Sequence, residues 1–155
     1  MRAINHALTG ALIGLSVPAP WVAVPVALAS HFVCDAIPHY GAKGSDDSTI
    51  ASKSFAIGLI ADAALCGLLV LLLIFTRPEQ WLSAAVCAFV ATAPDFLWIP
   101  GYMRARGGQA FRASKQNAYT IFAKSIQWFE RPIGAVVELA WFVAASVLLT
   151  AFLAA

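Results

Sequence analysis

FAIGLIADAALCGLLVLLLIF, residues 55–75, carries one charged side chain, Asp62, in an otherwise unbroken apolar run. As a helix rising about 1.5 Å per residue, such a run reaches across the roughly 30 Å hydrocarbon core of a bilayer. Its neighbours repeat the pattern. Upstream, residues 4–17 and 21–37 are apolar and separated by the turn signal Pro18-Ala19-Pro20; downstream, 80–98 and 133–152 follow the turns at Arg77-Pro78 and Arg131-Pro132. Between the last two, residues 114–129 place Tyr119, Phe122, Ile126 and Phe129 at helical spacing against Lys115, Gln116, Lys124 and Gln127. That segment reads as an amphipathic helix on the membrane surface, or as an ordinary connector packed on the bundle. The expectation is one all-α transmembrane domain over 1–155, with about five spans and one interfacial helix.

Composition agrees. Hydrophobic residues make up 61% and charged residues 12%, where soluble domains carry about 25% charged residues. The implied partner is the lipid bilayer. No basic patch interleaved with aromatics points to nucleic acid. Cys34, Cys66 and Cys87 lie in apolar segments without Cys-x-x-Cys spacing, as small buried hydrophobes do. Arg2 before a short apolar run imitates a signal peptide, but Asn5 and His6 interrupt the run and Pro18 and Pro20 make poor surroundings for cleavage. Gly10 and Gly14 form a small-xxx-small pattern that permits close helix approach, which suits a helix inside the bundle.

Five spans with the N-terminus inside put every basic residue except Arg77 on the cytoplasmic face: Arg2, Lys43, Lys53, Arg104, Arg106, Arg112, Lys115, Lys124 and Arg131. The positive-inside rule therefore favours a cytoplasmic N-terminus and an external C-terminus. On that topology the polar residues of the spans share one depth. His6 begins the first helix, His31 and Asp35 lie one turn apart on one face of the second, and His39 follows Pro38. Asp62, Asp95 and Glu138 fall in the inner half of the other three, with Asp95 about one turn from the end of a helix that Pro100-Gly101 breaks.

Intramembrane ionisable groups are costly and are read as functional by default. Histidines and carboxylates converging from several helices are how metal sites in bundles are built. His6, His31, Asp35, His39, Asp62 and Asp95 are the candidate ligands, Asp62 and Asp95 the candidate catalytic carboxylates, and Glu138 an outer supporting group. Nitrogen and oxygen donors suit a divalent metal, zinc first, with manganese or iron as alternatives. Each residue also has a plainer reading: His6 as a helix-to-helix hydrogen bonder, Asp62 as a packing or proton-carrying carboxylate, Glu138 as a partner of Arg131, His39 as an exposed loop side chain. Asp46 and Asp47 read as solvated loop charges.

His6-x3-Gly10, His31-x3-Asp35 and the later isolated aspartates resemble the small bacterial inner-membrane metal-dependent hydrolases grouped with the zinc-dependent phospholipase C superfamily. Asp35-Ala36-Ile37-Pro38-His39-Tyr40 and Gln127-Trp128-Phe129-Glu130-Arg131-Pro132 are similar to a short subgroup of them. The resemblance implies metal ligation by His6, His31 and Asp35, with Asp62 and Asp95 as further candidates. The chain lacks the Pro-Asp-x-Asp-His pattern of larger relatives, and it has Ala123 and Lys124 where the subgroup has a histidine before the Gln127 motif.

Two functions follow as expectations. One is a metal-dependent hydrolase of a phosphoester, with an anionic lipid headgroup drawn to the cytoplasmic face by residues such as Arg104 or Lys124. The other is a non-enzymatic membrane protein: a proton or metal-ion carrier, or a small scaffold. No His-Glu-x-x-His, Gly-x-Ser-x-Gly or Asp-x2-Asp-Gly-x2-Ala-Arg pattern is present to suggest another membrane enzyme class.

Overall fold

The computed structural model describes residues 1–41, 50–108 and 118–154, and among these the chain is helical with no strand. The helices are α1 (Ala3–Ser16), α2 (Pro20–Ala36), α3 (Lys53–Thr76), α4 (Trp81–Thr92), α5 (Ile99–Arg106), α6 (Ala118–Ile126) and α7 (Gly134–Ala154), with a 3-10 segment, Ala93–Trp98, joining α4 to α5. Lys43, Asp46, Asp47, Arg112, Lys115, Gln116 and the start of the expected amphipathic helix lie outside the described residues.

Local chemistry sets most boundaries. Pro20 occupies the first turn of α2, where its missing N–H has no helical partner to lose. Ser52 caps α3 by accepting from the Phe55 amide at 3.2 Å. Arg77 closes α3 in the left-handed region at φ 44°, its amide donating to the Leu73 carbonyl.

Three helical runs are long and apolar enough to cross a membrane: Lys53–Thr76, Trp81–Arg106 and Gly134–Ala154. Against the expected five, α1 and α2 are shorter apolar helices of 14 and 17 residues. At 1.5 Å per residue they reach roughly 21 and 25 Å, short of a full hydrocarbon core. The outer faces of the three long runs expose Ile57, Ile60, Leu68, Phe75, Leu82, Phe89, Val136 and Val147, as lipid-facing helices do.

One expected break is corrected. The helix does not end at Pro100-Gly101. It continues to Arg106, because Pro100 falls in the first turn of α5 and so interrupts no ladder hydrogen bond. Asp95 therefore sits inside a long helical run rather than near its end, and Arg104 and Arg106 belong to a helix rather than a loop. The helix expected over 114–129 also stops early, at Ile126, where Gln127 onward turns away to meet the segment after α2.

α1 is the hub, packing against α2, α3, α4 and α7. Its closest partner is α4. A Cβ on Gly10 would overlap the Cys87 carbonyl and the Ala91 side chain, and one on Gly14 would overlap the backbone of Ser83 and Ala84. Glycine on α1 and alanine on α4 thus allow backbone contact, sealing a core of small side chains that includes Ala11, Ala84, Ala88 and Ala91.

Candidate metal centre

The polar end of α1 meets the last turns of α2 and the Pro94 bend. His31 and Asp35, four residues apart, present one face of α2; His6 comes from α1, and Asp95 from the 3-10 segment. His6 Nε2 lies 3.2 Å from Asp35 Oδ1, His31 Nε2 3.5 Å from Asp35 Oδ2, and His31 Nε2 3.9 Å from Asp95 Oδ1. The two imidazoles stack with ring centroids 4.1 Å apart. One ligand atom from each of His6, His31 and Asp95 falls within 4.8 Å of the others.

The bend in the α4 to α5 run explains how His31 is aimed. A 3-10 turn would offer the Ala91 carbonyl the N–H three residues on, but that residue is Pro94, which has none. The carbonyl is filled from outside the helix: His31 Nδ1 lies 2.8 Å from it. A carbonyl only accepts, so Nδ1 carries the proton and donates, which turns Nε2 toward the two carboxylates. Histidines that ligate metals are commonly oriented by such a bond from the other ring nitrogen.

His6 supplies an independent indication. It is 0% exposed; Nε2 lies against Asp35 at 3.2 Å, outside good hydrogen-bond geometry, and Nδ1 has no hydrogen-bond partner among the described residues. A buried imidazole so poorly matched to its surroundings fits a cation-binding role. Buried Asp35 and partly exposed Asp95 lie beside the two imidazoles, where a cation would add to the positive charge that the Met1 amine brings to Asp35. Nitrogen and oxygen donors together suit zinc, manganese or iron.

Asp35 is the most heavily engaged member. Besides the two histidines, it accepts from the Met1 amine at 2.5 Å on Oδ1 and from Gln127 Nε2 at 2.9 Å on Oδ2. Gln127 belongs to a segment that docks beside the site. His39 N–H donates to the Phe129 carbonyl, Arg131 N–H donates to the His39 carbonyl, and Trp128 Nε1 donates to the Ala36 carbonyl. Gly134 lies so close to the His39 backbone that a Cβ there would overlap it. Above Asp95, the Tyr119 hydroxyl of α6 donates to the Pro94 carbonyl at 3.1 Å. Burial pushes the Tyr119 phenol up, and the Asp95 and Asp35 charges add to this, so it remains a donor at neutral pH.

The other candidate residues stand apart from this cluster. Asp62 accepts from the Ala3 amide through Oδ2 at 2.9 Å and from the Ile4 amide through Oδ1 at 3.1 Å. Glu138 accepts from the Arg2 amide at 2.8 Å. Together they satisfy the free N–H groups at the start of α1 and favour its dipole. His39 is buried, with Nδ1 2.9 Å from the Ile37 carbonyl. Gln127 was visible in sequence only as part of a motif. The Ala91 carbonyl has no side-chain signal; a proline three residues after it, opposite a buried histidine, was the available clue.

Compared with protein-family models, curated proteins and solved structures, the chain matches none, so its assignment rests on its own residues.

Proposed function

We propose that the chain is a membrane-embedded, metal-dependent hydrolase of a phosphoester, its site in the cytoplasmic half of a bacterial inner membrane. In this reading α1 and α2 join the three long runs as five spans, with the N-terminus inside. α6, bearing exposed Ile121, Phe122 and Lys124, lies at the interface. The observation that carries the proposal is the His31 ring. Its Nδ1 is held by the Ala91 carbonyl and its Nε2 faces Asp35 and Asp95, beside a buried His6 whose Nε2 also lies against Asp35.

His6, His31 and Asp95 would hold the ion, with Asp35 adding its charge between the two histidines. When bound, a divalent metal supplies Lewis acidity and lowers the pKa of water. Asp95 has a third of its side chain exposed, whereas those of His6, His31 and Asp35 are buried. It is therefore the group that meets substrate, and the carboxylate that takes up the proton of the attacking water. Gln127 and the Met1 amine keep Asp35 oriented. Arg104, Arg106 and Lys124 supply positive charge on the side from which an anionic headgroup would enter.

For Asp62 and Glu138 the alternative role, polar groups that lock the bundle, has its own support in their bonds to the backbone of residues 2–4. We accordingly assign these two to structure and the His6 cluster to chemistry.

The test is metal content after purification in detergent without chelator, for wild type and for His31→Ala and Asp35→Asn. Stoichiometric zinc, manganese or iron in wild type, lost in both variants, is the expected result. Turnover of a phosphoester panel that disappears with the metal separates the hydrolase from a carrier, which instead shows ion flux in vesicles. A wild-type protein that takes up no metal on reconstitution removes the proposal.

A further inference from the structure

A second polar site lies on a different flank of α1. A cavity of about 370 Å³ sits where α1 meets α3 and α7. Leu65 of α3 and Leu139 and Phe142 of α7 wall it, and Leu139 is 64% exposed, so the cavity opens sideways from the bundle. Both flanking helices are long and apolar enough to cross a membrane, and in a bilayer the opening between them faces acyl chain. Arg2, Asn5 and Glu138 give the cavity polar lining as well. Phe142 lies one helical turn beyond Glu138, roughly 6 Å further along α7. Polar head and apolar wall are thus stacked in the order in which a lipid carries headgroup and chain.

The polar lining has specific needs. Asn5 is 2% exposed, and its Nδ2 donates to the Glu138 carbonyl at 3.2 Å, but its Oδ1 has no partner among the described residues. That oxygen accepts and does not donate, so its complement is an N–H or O–H donor. Glu138 adds a carboxylate, and the exposed Arg2 guanidinium adds a positive charge. A donor-rich cation for Glu138 and Asn5, an anion for Arg2 and an apolar tail for the groove make up one molecule.

We propose that this groove binds one glycerophospholipid with a primary-amine headgroup, of the phosphatidylethanolamine class. The ammonium meets Glu138 and Asn5 Oδ1, the phosphate meets Arg2, and the upper part of one acyl chain runs between Leu65 and Leu139. The rest of the lipid lies in the bilayer against the exposed faces of α3 and α7. A choline headgroup offers no N–H to Asn5, and a glycerol headgroup brings no positive charge to Glu138. This site uses none of the residues of the His6 cluster, and it stands or falls independently of hydrolysis.

Native mass spectrometry of the full chain, released from mild detergent after equilibration with equimolar phosphatidylethanolamine, phosphatidylcholine and phosphatidylglycerol of matched acyl chains, tests it. The expected result is one phosphatidylethanolamine retained per chain, preferred over phosphatidylcholine by about tenfold, the ratio that one charge-assisted hydrogen bond supplies. Leu139→Trp fills the groove and abolishes retention. Arg2→Ala weakens retention of phosphatidylethanolamine, and Glu138→Gln reduces it to the level of phosphatidylcholine. Circular dichroism checks that each variant keeps its helicity; because Leu139 is exposed, its substitution tests the groove even where Glu138→Gln does not fold. Equal retention of the three lipids, preference for phosphatidylglycerol, or unchanged retention in folded Leu139→Trp overturns the proposal.

Discussion

The two ends of α1 are held by opposite means. At its start, the helix is fixed by directed polar contacts: Asp62 and Glu138 take the amides of residues 2–4, and His6 enters the cluster around Asp35. Further along, Gly10 and Gly14 meet α4 through close approach of backbones, with the Gln80 side-chain amide at the start of α4 donating to the Gly14 carbonyl at 3.1 Å. In lipid, apolar side chains gain little by leaving one apolar medium for another, so shape decides the second contact and unmet hydrogen bonds decide the first. The comparison teaches that polar residues in a membrane bundle need not all serve chemistry. Three of the carboxylates near α1 differ in use: Asp35 faces histidines, whereas Asp62 and Glu138 face backbone amides.

The seam gives the largest expected effect. Gly10→Leu drives a side chain into the Cys87 carbonyl, which is backbone and cannot yield, and should cost more than about 4 kcal/mol. Thermal unfolding in detergent, or loss of folded protein on expression, reads it. At the polar end, Asp62→Ala leaves two amides without partners at a cost of about 2–6 kcal/mol, since each buried unmet group costs roughly 1–3 kcal/mol. If Asp62 were instead an essential ligand, Asp62→Asn, which keeps an acceptor oxygen, would abolish metal binding while barely altering stability. The expected outcome is a lowered unfolding temperature with metal still bound.

Pro94→Ala sharpens the division further. It restores an N–H that competes with His31 for the Ala91 carbonyl, and metal affinity should fall about tenfold, the lower end of the range for losing a group that orients a ligating histidine. Stability should change little, so titration of metal by calorimetry separates the two readouts. The smallest effect belongs to the outer wall. Leu68→Ala, on the exposed face of α3, should stay within about 0.5 kcal/mol, because it touches neither seam nor polar end.

Much of this was legible in the sequence. Apolar blocks separated by prolines locate the helices, and the pair His31 and Asp35 at helical spacing marks one face of α2. Sequence polarity, however, says which residues are costly to bury, not what each one meets. Asp62 and Asp95 look alike as lone membrane aspartates; one caps a helix and the other joins a histidine, and the difference lies in which helix face turns toward α1. Pro100 reads as a helix breaker until its place in the first turn of α5 is known. Pro94 reads as a kink, and its effect on the carbonyl of Ala91 depends on a histidine sixty residues away.

The central position of α1 also bears on the order of synthesis. It is made before the residues that complete it, which are spread along the chain after it: Asp62, then Cys87 and Ala91, then Glu138 of α7. Until α7 follows, the Arg2 amide and the Asn5 side chain lack the partners they have in the finished bundle. A helix made early is thus among the last to be secured, and a nascent chain halted before Gly134 exposes its unmet polar groups to whatever chaperones or degrades half-made proteins.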